Sequence, residues 1–341
     1  MAFIQEPFAL PHPWDSDWLL RGYLQRVLPE RYFEEASDSL RALADVVANE
    51  LEPLVALDRE NEPRWTPYDA FGNRIDRIDV TAVWDKARAV ACRSGVVGHA
   101  FERKYAAYSR VVQAAHLHLF APSSDVYSCP LAMTDGAARA LFEHDRERFG
   151  EVIFRLTTRN PELAWTAGQW MTERTGGSDI SRTETIARPV GDGTYALHGT
   201  KWFTSAITAE VALTLARPEG AGDGSRALAL FFVRTRHDDG RPNGIAINRM
   251  KDKLGTRKVP TAELTLDGTI ATPVAGLTDG VRNISPVLNV TRLWNAICSI
   301  SGMQRGLALA LDYARRRQAF GAPLAERPLH VDTLADWQAE L

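Results

Sequence analysis

The hydrophobic period of this chain changes twice, from three-and-four spacing to two and back again, and that succession fixes the order of its layers. From about residue 14 to 159 apolar residues recur as in Leu40, Leu43, Ala44, Val47 and Leu51, the stripe of one buried helix face. Residues 80–106 and 136–149 read the same way, and Pro-containing breaks at 61–67 and 121–130 separate the stretches. From about 163 to 277 the period is two. Gly191-Asp-Gly193 is a turn between strand-like runs, 211–216 and 227–233 are apolar β-type runs, and 261–266 alternates. Closely spaced strands with short turns predict an antiparallel barrel or sandwich. Helical texture returns over 284–313, and a Gly-Ala-Pro break at 321–323 precedes one more helix. Helices, then strands, then helices argue against a doubly wound sheet.

Composition enters as a set of exclusions. A chain of 341 residues that is 45% hydrophobic and 24% charged can bury a full core and is not a disordered chain. A formal net charge of -3 gives no global attraction to nucleic acid. The first residues lack a basic and an apolar leader region. The longest apolar runs fall well short of the ~20 residues that span a bilayer. A soluble, cytoplasmic protein without membrane insertion is the expectation. Cys92, Cys129 and Cys298 lie far apart without metal-ligand spacing, which reads as three buried free thiols.

Three superficial motifs fail. The Gly-rich stretch 220–224 lies between strands and opens no helix, so it cannot aim a helix N-terminus at a pyrophosphate. No Walker loop and no nucleophile elbow is present. His116 and His118 stand two apart in helical surroundings, where side chains at that spacing diverge, so no metal site is expected.

Two segments carry chemistry. In Gln169-Trp-Met-Thr-Glu-Arg-Thr-Gly-Gly-Ser-Asp179 a strand of large residues runs into paired glycines. Such a turn can present consecutive backbone N–H groups to phosphate, with Ser178 adding a hydroxyl and Thr172 preceding the nest. An ordinary Gly-Gly turn reads equally well from this segment alone. In Leu197-His-Gly-Thr-Lys-Trp-Phe-Thr-Ser205 an aromatic pair and two hydroxyls on a strand suit a flat polar ring. A core strand with two aromatics would look the same.

Together these segments resemble the acyl-CoA dehydrogenase superfamily, whose signature has the form Thr-Glu-x-x-x-Gly-Ser-Asp. Gly-Gly before Ser-Asp, followed by Gly199-x-Lys-Trp-Phe-x-Ser, resembles the branch of the adaptive alkylation-response protein AidB. Met250-Lys-Asp-Lys-Leu-Gly-Thr-Arg257, Tyr313-Ala-Arg-Arg-Arg-Gln-Ala-Phe-Gly-Ala-Pro-Leu324 and Pro67-Tyr-Asp-Ala-Phe-Gly-Asn-Arg74 agree with it in order. The resemblance implies an α+β fold: an N-terminal helical domain over 1–160, a middle antiparallel β-barrel over 161–280, and a C-terminal helical bundle from 281 that is incomplete at Leu341. It implies FAD held by Gln169, Trp170, Met171, Thr172, Gly177 and Ser178, with Thr172 at the pyrimidine side of the flavin and Ser178 nearer the pyrophosphate. Phe203, Thr204 and Ser205 would flank the ring, Phe203 by packing and Ser205 by donating toward N5. Arg317 and Phe320 would reach the FAD of a neighbouring subunit in a dimer or tetramer, and Arg292 would be the active-site arginine.

The implied function is FAD-dependent acyl-CoA oxidation, with an acyl-CoA substrate, α-proton abstraction and β-hydride transfer to flavin N5. The residue before Arg292 is Thr291, which cannot serve as base, so the catalytic base is expected beyond Leu341. Two alternatives stay open: a non-enzymatic flavoprotein that binds DNA or long acyl groups, and a flavin oxidase on the same fold. The acidic net charge gives DNA binding no support.

Overall fold

In a computed structural model of the chain, residues 6–341 are described. Among the described residues nine α-helices open the fold: α1 (Pro13–Ser16), α2 (Trp18–Val27), α3 (Glu30–Val46), α4 (Glu52–Leu57), α5 (Ala82–Arg93), α6 (His99–Glu102), α7 (Ser109–Phe120), α8 (Ser128–Asp145) and α9 (Gly150–Thr157). The stripe read from sequence is the core face of α3 and the π-turn that follows it: Leu40, Leu43, Ala44, Val47 and Leu51 are all buried. They join one apolar cluster with Trp84, Val112, Leu117 and Tyr127 from α5, α7 and the start of α8.

The N-terminal zone is not purely helical. A hairpin, β1 (Arg64–Tyr68) with β2 (Arg74–Asp79), sits between α4 and α5. Its own apolar content is small, and its fold depends on a distant partner. Trp65 and Ile78 pack on the barrel core. Asp76 accepts from Trp65 Nε1 at 2.9 Å, Arg74 Nε at 2.8 Å and the backbone N–H of Ile247 at 3.0 Å. A single buried carboxylate thus rivets the hairpin to the barrel wall.

The barrel contains β3 (Ala167–Trp170), β4 (Ile186–Gly191), β5 (Thr194–Ser205), β6 (Val211–Pro218), β7 (Ala229–Arg234), β8 (Ile245–Met250) and β9 (Thr261–Pro273). β4 and β5 form the hairpin predicted at 191–193, and residues 220–224 are a loop between β6 and β7. The sheet is mixed where an antiparallel one was expected. β6 pairs in parallel with β3 through Val211–Thr214 and with β4 through Arg217 and Pro218, while its other edge is antiparallel to β7. The reason is the long excursion between β3 and β4, which lets both strands run along the same edge of β6. Strand direction of this kind has no local sequence signal.

Helix α10 (Gly280–Asn283) leads into the 32-residue α11 (Ser285–Arg316), which packs on α8 and α7. Gly136 permits the close approach: a Cβ there would lie 2.8 Å from Val287 Cγ1 and 3.0 Å from its Cα. The two-residue strands β10 (Gln318–Ala319) and β11 (Ala322–Pro323) then turn the chain into α12 (Pro328–Glu340).

His116 and His118 diverge on α7, as their spacing requires. His118 Nε2 meets Asp17 at 2.8 Å, whereas His116 is buried with its Nε2 3.2 Å from His99 Nε2. Among the described residues no His, Cys, Asp or Glu cluster could hold a metal ion. Burial, reinforced for His116 by His99 and for His99 by Arg159, lowers both imidazoles from 6.5, His99 to about 4 and His116 to about 3. Both are neutral when folded at pH 7. Their stabilisation is therefore complete above the ordinary value of 6.5 and is lost as pH falls from there toward the folded values, because the unfolded chain takes up protons first. The pair should contribute a slope of up to about 2.7 kcal/mol per pH unit between pH 6 and 4. Urea melts of wild type and His99→Gln over that range check it: the variant should show a shallower slope.

Candidate functional site

The two chemistry-bearing segments meet through a buried ion pair. Lys201 and Glu173 are 0% and 3% exposed, with Nζ 2.7 Å from Oε1. The same ammonium donates to the carbonyl of Leu215 at 2.7 Å. Glu173 also accepts from Thr185 Oγ1 at 2.5 Å and from the backbone N–H groups of Glu184 and Thr185 at 2.6 and 3.3 Å. Burial pushes the Lys201 ammonium below its ordinary range, opposed by the charge of Glu173. One carboxylate therefore closes the loop that carries the Gly-Gly-Ser turn and ties it to β5. Gly199 is obligatory beside it, since a Cβ would lie 2.4 Å from Thr185 Oγ1 and 2.7 Å from its Cα. Sequence reasoning missed this clasp. Its signal was a lysine beside the aromatic pair of β5, at a position that alternation turns into the barrel, where a buried ammonium demands an opposite charge.

Above the clasp the loop is open. β3 ends at Trp170, so Thr172 lies past the strand and not on it as expected. Thr172 packs directly on Gly177, whose Cβ would lie 2.9 Å from Thr172 Cγ2. Its carbonyl accepts from the N–H of Trp202 at 2.8 Å, which holds both segments side by side. Gly177 and Ser178 are exposed, and among the described residues no group accepts from their backbone N–H groups or from Ser178 Oγ. Gln169 and Met171 are half-buried neighbours on one face, with Gln169 Nε2 3.9 Å from Met171 Sδ.

Two predicted contacts turn away from this surface. Trp170 is buried in the barrel core, and Thr204 is 1% exposed with its hydroxyl unpartnered inside the barrel. Strand alternation puts the side chains of Trp170 and Thr204 on the face opposite their neighbours, so they leave the candidate set. A register shift in β5 between Lys201 and Thr204 accompanies a left-handed Phe203 (φ 54°), which stands 58% exposed. Ser205 is half-buried and shares a 3.0 Å hydrogen bond with Thr261 Oγ1. Lys251 lies 4.4 Å from the Phe203 ring centroid and 3.5 Å from that of Trp202.

The remaining candidates sit on the C-terminal helical segment. Arg292 is exposed on α11, with Asn289 Oδ1 at 3.5 Å. Arg317 ends α11, and Phe320, 95% exposed with φ 55°, lies in the β10–β11 turn. Within the run Arg315-Arg-Arg317, Arg316 pairs with Asp312 at 2.9 Å and Glu6 at 3.1 Å.

Comparison with known proteins gives this geometry a family. The acyl-CoA dehydrogenase middle domain matches residues 168–269 and the acyl-CoA dehydrogenase C-terminal domain residues 278–341. The adaptive response protein AidB N-terminal domain matches residues 5–162. A solved structure, the apo form of Bd2924, is 46% identical with a TM-score of 0.97, over 99% of this chain and 69% of that one. The chain belongs to the acyl-CoA dehydrogenase family. Within this family it is 40% identical to acyl-CoA dehydrogenase family member 11 of Caenorhabditis elegans, over 99% of this chain and 57% of that protein. The structure of that relative in complex with C11-CoA has a TM-score of 0.96, covering 59% of its chain. The putative acyl-CoA dehydrogenase AidB of Escherichia coli is 31% identical over 84% of this chain and 54% of its own. The chain thus spans little more than half the length of these curated relatives. The AidB-type acyl-CoA dehydrogenase fold, helical block, barrel and helical C-terminal segment, accounts for the whole described structure. No helix among the described residues is long and apolar enough to cross a membrane.

Proposed function

We propose that this protein is an FAD-dependent oxidoreductase of the acyl-CoA dehydrogenase type that acts on the CH–CH bond of an acyl thioester. The observation that carries the reading is the clasped loop, which presents unused donors at Gly177 and Ser178 beside a Thr172 hydroxyl that has no partner among the described residues. Four donors on one surface, the N–H groups of Gly177 and Ser178 and the hydroxyls of Ser178 and Thr172, next to an exposed aromatic ring at Phe203, fit a phosphate-bearing flat cofactor. FAD, when bound, supplies the acceptor for the β-hydride at N5 while the α-proton passes to a base.

The chain's own residues bind and orient. Ser178 and the Gly177 N–H hold the pyrophosphate, Thr172 bonds the pyrimidine side, Phe203 packs on the ring, and Ser205 or its backbone donates toward N5. Gln169 and Met171 border the same surface. Arg292 is the proposed active-site arginine, and no residue here is assigned as base. A C11-CoA complex of the worm relative supports an acyl-CoA as the substrate class. The protein is cytoplasmic and a homodimer or tetramer in this reading. Exposed Leu293, Ile300 and Met303 along α11 form an apolar face of the kind that marks an interface, and Arg317 with Phe320 reaches the neighbour's FAD. No observation favours the DNA-binding or oxidase alternatives.

Flavin titration tests the reading. Thr172→Val and Ser205→Ala each remove one neutral hydrogen bond to the flavin, on the order of 1 kcal/mol, and should weaken FAD binding about fivefold. Thr172→Val should leave the melting temperature of the flavin-free protein unchanged, whereas Ser205→Ala also loses the 3.0 Å bond to Thr261 and should lower it slightly. Affinity unchanged in both variants would place the flavin elsewhere. Arg317→Ala should lose flavin while keeping its oligomeric mass; a fully flavinated monomer would refute the cross-subunit contact.

A further inference from the structure

The riveted hairpin leaves a cavity of about 580 Å³ between itself and the open end of the barrel. That is ample for a small ligand. Its floor is apolar, formed by Trp170, Ile207, Ile245, Ile247 and Leu264. Trp170 also has its indole Nε1 buried without an acceptor. None of the residues proposed to hold FAD lies in this wall once Trp170 is recognised as a core residue, so the cavity is separate from the flavin surface.

The charges in the wall resolve to one cation. Asp76 is saturated by Trp65, Arg74 and Ile247, as described above. Glu210 accepts from Arg88 at 3.1 Å, the Thr166 N–H at 2.7 Å and Thr166 Oγ1 at 3.1 Å. Arg77 is answered by Asp79 at 3.1 Å and Arg234 by Asp238 at 2.8 Å. Arg236 differs. Its guanidinium is fixed by three neutral carbonyls, Gly240 at 2.9 Å, Ile75 at 3.2 Å and Asp76 at 3.0 Å. Among the described residues no carboxylate lies within 4.0 Å of it. Three of its five donors are used, one on Nη1 and two on Nη2, which leaves the Nε–H and one Nη1 hydrogen as single donors beside a fixed positive charge for an anion.

We propose that the cavity at the barrel mouth is a second binding site, and that it takes a monocarboxylate with a compact apolar body. The apolar part fills the floor against Trp170 and the isoleucines, and the carboxylate pairs with Arg236 at the rim. The site is independent of the flavin reading, since Gln169, Met171, Thr172, Gly177, Ser178, Phe203 and Ser205 do not line it.

2-Naphthoate is a suitable probe, with 2-naphthylmethanol as its uncharged counterpart, and calorimetry on the full chain the readout. Naphthoate should bind with one-to-one stoichiometry and a Kd on the order of 1 mM or tighter, equally in FAD-free and FAD-loaded protein. The alcohol should bind at least about tenfold more weakly. Arg236→Gln should weaken naphthoate by about tenfold, whereas Arg236→Lys keeps the charge and should stay within a few-fold. Thr208→Trp, at an exposed rim position, should abolish binding with an unchanged melting temperature. Absence of saturable binding, equal affinity for the alcohol, indifference to Arg236→Gln, or displacement by FAD would each overturn the proposal.

Discussion

Lys201→Met should destabilise the protein by about 3–5 kcal/mol, the usual cost of leaving a buried carboxylate without its partner. Methionine fills a similar volume, so the loss reports charge rather than packing. Glu173 would keep three donors, Thr185 Oγ1 and the N–H groups of Glu184 and Thr185, but at 3% exposure it would have no countercharge. Relief can come only from protonation of the carboxylate or from opening of the loop that bears Gly177 and Ser178. Adding Glu173→Gln to Lys201→Met should therefore restore more than about 1 kcal/mol, since a neutral amide costs less to bury than a lone charge. Urea melts of the two variants give the first number and the recovery. Flavin affinity should fall along with stability in Lys201→Met, because the clasp sets the position of the donor loop. A stability loss below about 1 kcal/mol would mean that the pair is solvated and does not hold the two segments together.

That clasp also marks the limit of what the sequence disclosed. Elements governed by local period were legible. The Leu40 to Leu51 stripe, the Gly191-Asp-Gly193 turn and the long helix over 284–313 appear where the spacing predicts them, because each is determined by residues a turn or two apart. Elements governed by distant partners were not. The β1–β2 hairpin is held by Asp76 bonding across 171 residues to Ile247, and the parallel edge of β6 depends on where two other strands arrive. In the candidate site, the direction of each side chain had no signal in the residue order. Trp170 and Thr204 lie in the two segments singled out by sequence, but strand alternation turns both side chains into the barrel. Gln169, Met171, Thr172, Gly177, Ser178, Phe203 and Ser205 are exposed or half-buried and remain the proposed flavin contacts.

Asp135→Ala should cost about 3–5 kcal/mol and loosen α11 from the helical block. Asp135 is fully buried on α8, and its Oδ2 accepts three hydrogen bonds from two other helices: Arg110 Nη1 at 2.5 Å and Gln113 Nε2 at 2.9 Å from α7, and Trp294 Nε1 at 2.8 Å from α11. Apolar contact alone does not fix the long helix in register, because a smooth stripe can slide by a turn. A carboxylate answered by an indole N–H and a guanidinium fixes one register, and the Gly136–Val287 contact beside it fixes the separation. Alanine leaves the buried Trp294 indole N–H without an acceptor, Gln113 Nε2 with only the Val97 carbonyl at 3.5 Å, and the half-buried Arg110 with the neutral Gln113 Oε1 but no countercharge, at about 1–3 kcal/mol for each buried group. Asp135→Asn keeps the shape and one acceptor oxygen, so its cost should be about half as large. Denaturant melts give the totals. Hydrogen exchange of α11 gives the mechanism: in Asp135→Ala the amides around Trp294 should exchange much faster than those of β5 and β9, which lie in the barrel. Equal acceleration in both regions would show that the joint stabilises the whole fold and does not specifically dock the helix that carries Arg292 and Arg317.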